Sequence, residues 1–290
     1  LHVRSRRQRQ MCIRDRITGI EVVNNDEYLR TVKLQNAEGQ QFCGWVRVGH
    51  RPAENTLSVT VSESLLPVLP EVLARIKNLF DLYCEPKAVY ETLQVMNTLQ
   101  PGLCVLGTRL PGCFNVFEMS VRAVLGQQIT VKAASTLAAR LVAAYGTQVQ
   151  TGIEGLTHSF PAPAAILALG ENISGHLGKL GIISARANTI YQLARVLADE
   201  KNDFGFWGNP EEEMQKLQAI RGIGSWTAQY IAMRAMSWPD AFLPTDAGIK
   251  KALPDHTPKE LQVLSEAWRP WRSYATVNLW NTCLLYTSDA

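Results

Sequence analysis

The stretch Leu217-Gln-Ala-Ile-Arg-Gly-Ile-Gly-Ser-Trp-Thr-Ala-Gln-Tyr-Ile-Ala-Met233, with Leu243-Pro-Thr-Asp-Ala-Gly-Ile-Lys250 after it, carries most of the chemistry this sequence could do. Its first half reads as two short helices joined by Gly222-Ile223-Gly224. The glycines remove two side chains at a tight turn and allow φ > 0, so backbone can come close to a partner. A helix starting near Ser225 then aims its free N–H groups and positive dipole end at that point, a ready anion site. On spacing alone, a plain helix–helix turn accounts for the same pattern. Asp246 adds one carboxylate just beyond. A phosphate grip beside a single acid suits an enzyme that holds a DNA strand while breaking a bond on one nucleotide.

Trp226 and Tyr230 are four apart on the second helix and so share a face, which Met233 continues. With Trp280 they could sandwich a flipped base, a contact worth about 1–3 kcal/mol per base. Trp268 and Trp271 read as core. Asp246 has two readings: N-cap of a helix starting near Ala247, or a carboxylate in an aromatic pocket that stabilises a sugar cation or orients water. Thr245 could take the cap instead. Lys250, Lys251 and Arg269-Pro-Trp-Arg272 are candidate phosphate contacts or solvated surface charge. Gly126-Gln127-Gln128 interrupts a long helical pattern; its amides could probe a base edge, fill a gap in a stack, or cap the flanking helices.

These residues need elements to position them. Residues 17 to about 62 alternate apolar and polar in four short runs separated by turn residues, which predicts an antiparallel meander. Val68, Val72, Ile76, Leu79 and Phe80 follow at helical spacing. From about 91 the period is helical throughout. Helices are predicted at 114–125, 130–145 (ending at Gly146), 164–169, 184–197, 211–220, through 236, and at 247–253, 258–268 and 273–280. Pro210 with Glu211, Glu212 and Glu213 makes a clean helix start. The fold class is α+β: a small antiparallel-sheet α/β domain over 17–90, then an all-helical body of two subdomains over 91–282. Residues 1–16 and 283–290 break the patterning and read as foreign segments; a basic DNA-binding arm is the rival reading of the first.

The 290 residues, 46% hydrophobic and 19% charged, are ordinary for a globular chain, and the net charge of +3 is weakly basic. The six cysteines form no Cys-x-x-Cys pair and lie away from the histidines at metal-ligand spacing, which argues against zinc or iron–sulfur and for a reducing cytoplasm. No apolar run approaches the roughly 18 residues that span a bilayer.

Taken together, the chain resembles the helix-hairpin-helix DNA glycosylases, and most closely the AlkA-type 3-methyladenine glycosylases. The resemblance runs collinearly from about Ile17 to Thr282. It is carried by Leu79-Phe-Asp-Leu, Pro111-Gly-Cys, Phe117-Glu-Met-Ser-Val-Arg-Ala-Val-Leu-Gly-Gln-Gln, Leu217 to Met233, Phe242-Leu-Pro-Thr-Asp and Trp268-Arg-Pro-Trp-Arg-Ser-Tyr-Ala275. It implies excision of alkylated bases such as 3-methyladenine and 7-methylguanine from damaged double-stranded DNA, by a monomer. Asp246 falls on the catalytic aspartate. Trp226, Tyr230 and Trp280 fall on the base pocket. Gly222, Gly224 and Thr227, with Lys250, fall on the DNA-backbone contacts. No cofactor is required, though in such hairpins a monovalent cation (Na or K) often sits on main-chain carbonyls, here those of Gln218, Ile220 and Ile223.

Two departures sharpen the reading. Lyase members carry a lysine two residues past the second hairpin glycine; here that residue is Trp226, which implies a monofunctional glycosylase. At the wedge, where the best-matched relatives place a leucine, this chain has Gln128, so stack filling falls to Gln128 and Ile129. A glycosylase for an oxidised or deaminated base, or a non-catalytic DNA-damage-binding module, are the alternatives.

Overall fold

The computed structural model describes residues 16–24, 27–36, 38–198 and 209–285, with side chains through 282. Four strands, β1 (Glu21–Asn24), β2 (Glu27–Gln35), β3 (Gln41–Arg51) and β4 (Thr56–Val61), form the expected antiparallel meander in chain order. Alternation decides which face is inward: Tyr28, Val32, Leu34, Val46 and Val48 pack on helix α1 (Leu69–Leu79) through Val72 and Ile76. A 3-10 segment, Glu63–Val68, leads into α1.

Eleven further α-helices follow among the described residues: α2 (Pro86–Leu93), α3 (Val116–Leu125), α4 (Val131–Tyr145), α5 (Pro163–Leu167), α6 (Ile173–Gly178), α7 (Ser184–Leu197), α8 (Pro210–Gln218), α9 (Ser225–Arg234), α10 (Ala247–Ala252), α11 (Pro258–Leu264) and α12 (Arg272–Leu285). Local chemistry sets several starts. Asn115 caps α3 at Glu118 N–H, Thr130 caps α4 at Ala133 N–H, and Thr257 with Glu260 forms a capping box on α11.

Three differences from the sequence expectations have clear causes. Gly146 does end α4, but in extended backbone; a Cβ there would lie 2.5 Å from the Ser159 carbonyl oxygen, so the glycine answers a close approach. That approach belongs to a two-stranded ribbon, β5 (Thr147–Gln148) with β6 (His158–Ser159), too short to show a period. Helix α12 continues through Cys283 to Leu285, past the expected break. The two segments read as foreign otherwise lie mostly outside the described residues.

The sheet and the helical body interlock. Ile17 and Ile20 are buried in the helical core, whereas Phe114 belongs to the sheet's core. Between them lies a buried ion cluster. Arg30 on β2 donates to Glu118 Oε2 at 2.8 Å, and Arg122 bridges Glu118 and Glu21 at 3.3 and 3.4 Å. Tyr28 Oη donates to Glu21 at 2.6 Å, and the Arg30 guanidinium lies over the Phe114 ring. Burial alone would raise the Glu21 carboxyl, but Arg122 and Arg30 outweigh it and hold it below its ordinary value.

Candidate active site

Asn209 caps α8 at Glu211 N–H, and the helix ends at Gln218. Leu217, Ile220 and Ile223 then turn inward. Gly222 takes φ +97°, the left-handed region where glycine is at home, and a Cβ there would sit 2.1 Å from Thr189 Oγ1. Gly224 is the N-cap of α9 and offers no side chain to its first turn. Both glycines are exposed. The first N–H groups of α9 therefore open onto solvent at a bare turn, which is what an anion site requires. Thr227, in that first turn, is buried at 3% exposure, so it stands apart from this open surface.

Asp246 is at once a helix cap and an acceptor for two indoles. Its Oδ1 accepts from Gly248 N–H at 2.8 Å and Ile249 N–H at 3.1 Å, which starts α10. The same oxygen accepts from Trp280 Nε1 at 2.7 Å, while Oδ2 accepts from Trp226 Nε1 at 3.1 Å. The two readings left open by the sequence are thus compatible, because capping occupies one carboxylate oxygen and leaves the other turned to the aromatic side. Gly248 is tied to this arrangement: a Cβ on it would meet Trp280 Cδ1 at 2.7 Å.

The aromatics form a platform and not the slot expected from their spacing. Trp226 and Tyr230 stack on each other, with centroids 5.2 Å apart and planes within 9°. Tyr230 and Trp280 are 6.3 Å apart and tilted by 45°. A base inserted between two rings needs a stacking distance on each side, more than either pair leaves. The i,i+4 spacing on α9 brings the rings together and lets them satisfy each other. Trp268, 1% exposed, is core as expected.

Sequence reasoning passed over one residue here and left the role of another open. Arg234, 6% exposed, donates to Tyr230 Oη at 3.0 Å and to the Pro111 carbonyl at 2.7 Å, holding the phenol from behind. Its spacing from Tyr230 was the available signal. Gln127 neither caps a helix nor points outward as a probe. Its Nε2 donates to the Gly222 carbonyl and to Thr227 Oγ1, both at 2.9 Å. Gln128 beside it is exposed with φ +53°, and Ile129 is half-buried. Lys250 and Lys251 are exposed in the last turn of α10.

The three carbonyls named for a cation suit one in type, since main-chain oxygens are hard donors. Side-chain donors occupy the neighbouring carbonyls of Arg221 and Gly222, while among the described residues none occupies those of Gln218, Ile220 or Ile223. Ile220 oxygen also accepts from Ile223 N–H at 3.0 Å.

Residues 8–115 match the family described as the AlkA N-terminal domain, and residues 121–272 match the HhH-GPD superfamily of base excision DNA repair proteins. DNA-3-methyladenine glycosylase 2 of Escherichia coli is 35% identical over 266 residues, covering 92% of this chain and 89% of that protein. A protein of Mycobacterium tuberculosis, "Probable bifunctional transcriptional activator/DNA repair enzyme AlkA", is 37% identical, and the chain spans about half of its length, 52%. Among solved structures, the 3-methyladenine DNA glycosylase of Archaeoglobus fulgidus superposes with a TM-score of 0.74 at 20% identity, covering 92% of this chain and 90% of that one. With the hairpin, the capped carboxylate and these matches in hand, the chain belongs to the HhH-GPD superfamily of base excision DNA repair proteins.

Proposed function

We propose that this protein binds damaged duplex DNA and excises alkylated purines such as 3-methyladenine and 7-methylguanine by hydrolysing the N-glycosidic bond. The observation that carries this is the Asp246 carboxylate held by the indoles of Trp226 and Trp280 at the edge of an aromatic platform. A purine alkylated at N3 or N7 is positively charged. It is attracted to electron-rich ring faces, and its weakened pairing makes it cheaper to extrude.

Alkylation has already made the base a good leaving group, so the chain need supply little acid. The C1′–N bond breaks with its electron pair going to the base, which leaves as the neutral purine. The sugar becomes oxocarbenium-like, and Asp246 stabilises it electrostatically from a fixed position. Water then adds to C1′ and loses its proton. The exposed turn at Gly222 and Gly224, with Lys250 on α10, holds the strand through phosphate. A monovalent cation on the Gln218, Ile220 and Ile223 carbonyls would add positive charge to that grip. Trp226 offers no amine for a Schiff base, so the product is an abasic site in an unbroken strand.

The test is single-turnover release of 3-methyladenine and 7-methylguanine from methylated duplex DNA. Release without strand cleavage supports the reading. Tight binding to abasic-site DNA without release would replace it with a damage-binding module, and preference for a neutral oxidised or deaminated base would replace the lesion class.

A further inference from the structure

We propose that Gln127 is a positioning residue that braces the wedge turn against the phosphate-gripping hairpin, so that gripping the strand and opening the base stack are done by one rigid unit. The proposal rests on the glycosylase reading above. Gln127 lies between the C-cap of α3, Gly126, and Gln128, whose backbone is in the left-handed region. A carboxamide has two N–H donors. Here both have acceptors on the hairpin side, Gly222 oxygen in the turn itself and Thr227 Oγ1 in the first turn of α9, 95 and 100 residues away in sequence.

Helix α7 closes the same joint from another direction. Arg186 donates to the Gln127 carbonyl, and Thr189 Oγ1 lies 2.9 Å from the Arg221 carbonyl. The backbone and the side chain of Gln127 are therefore both held, and the hairpin is held twice. A turn with a non-glycine residue at φ +53° and an exposed side chain at its tip keeps its shape only if its surroundings impose it. Gln127 supplies that constraint from the element that would grip phosphate. Thr227 acts as its inward acceptor, which accounts for the burial of a side chain on an otherwise open turn.

The consequence is a division of labour. Loss of the brace leaves the Asp246 site and its aromatics intact but lets the wedge yield when it must displace a paired base. Gln127→Met keeps the side-chain length and removes both donors. Gln127→Glu keeps the shape and removes the N–H groups.

Single-turnover release of 7-methylguanine is measured opposite cytosine and opposite an abasic analogue, where extrusion costs little. Both variants are expected to lose about 10-fold on the paired lesion, in line with the loss of two neutral hydrogen bonds, and less than about 3-fold opposite the abasic analogue. Equal losses on the two substrates, or no loss on either, would overturn the proposal. A second readout needs no base release: 2-aminopurine placed beside an abasic analogue should brighten on binding to wild type and much less on binding to Gln127→Met at matched occupancy. Equal brightening would also overturn it. Absence of release by wild type would count against the glycosylase reading alone, since the fluorescence measurement still reports the brace.

Discussion

Replacing Asp246 separates its two duties, and their sizes can be worked out beforehand. In Asp246→Asn the amide oxygen can take over from Oδ1, keeping the bonds from Gly248, Ile249 and Trp280. The amide nitrogen then faces the Trp226 indole N–H, donor against donor, where Oδ2 had accepted at 3.1 Å. One hydrogen bond to a charged acceptor is lost, which costs about 2 kcal/mol of stability. The chemical step loses more. A full charge about 4 Å from a developing sugar cation, at an effective dielectric near 20, is worth about 4 kcal/mol, or roughly three decades in rate. Asp246→Ser is the companion variant. Serine still caps α10 but carries no charge and is too short to bridge both indoles. Both variants should therefore lose about 10³-fold in single-turnover release of 7-methylguanine, while urea unfolding shows them folded and abasic-analogue binding stays within a few-fold of wild type. A loss below about 10-fold with binding retained would refute the electrostatic argument and leave Asp246 as a cap alone.

Four other perturbations follow from the same structure. Gly222→Ala places a Cβ against Thr189 in left-handed backbone and should cost about 2 kcal/mol or more with loss of DNA binding. Gly224→Ala, with no atom within 4 Å of the new Cβ, should leave thermal stability within about 1 kcal/mol and weaken only DNA binding. Arg30→Ala removes one partner from the buried cluster and leaves Glu118 and Glu21 short of charge, for an expected loss of about 3–5 kcal/mol in urea unfolding. Burial raises the Asp81 carboxyl from 3.8 to about 6, with the Leu110 N–H and the Tyr274 hydroxyl opposing. The folded state thus binds this proton more tightly than the unfolded one. The resulting stabilisation is complete below pH 3.8 and is lost as pH rises through 6. Relative to Asp81→Asn, wild type should lose about 3 kcal/mol between those limits; a pH-independent difference in unfolding free energy would contradict this.

Much of the scaffold was legible because its signals are local. Alternation in 27–35 and 41–51 puts Tyr28, Val32, Leu34, Val46 and Val48 on one face, and the meander pairs Tyr28 with Val48 in register. Thr257 to Glu260 and Pro210 to Glu213 announce helix starts within single turns. Gly222 and Gly224 mark a bare turn in any fold. Elements whose cause lies elsewhere in the chain were harder to see. The ribbon of β5 and β6 has two residues per strand and no period, and the glycine beside it answers a carbonyl that arrives from residue 159. The Gly126-Gln127-Gln128 break was visible, but the direction of its amide was not.

The sequence by itself determined where the four-stranded meander and the longer helices lie, that one carboxylate follows a glycine hairpin, and which aromatics accompany it. Those facts depend on neighbours one to four positions away, where backbone preference and periodicity act. Tertiary structure alone decided that the capping Asp246 also receives two indoles, because Trp226 and Trp280 reach it from 20 and 34 residues away. It also made a platform of rings expected to form a slot, and turned Gln127 onto the hairpin. Such outcomes depend on side-chain direction across packed helices, and spacing along the chain carries no record of that.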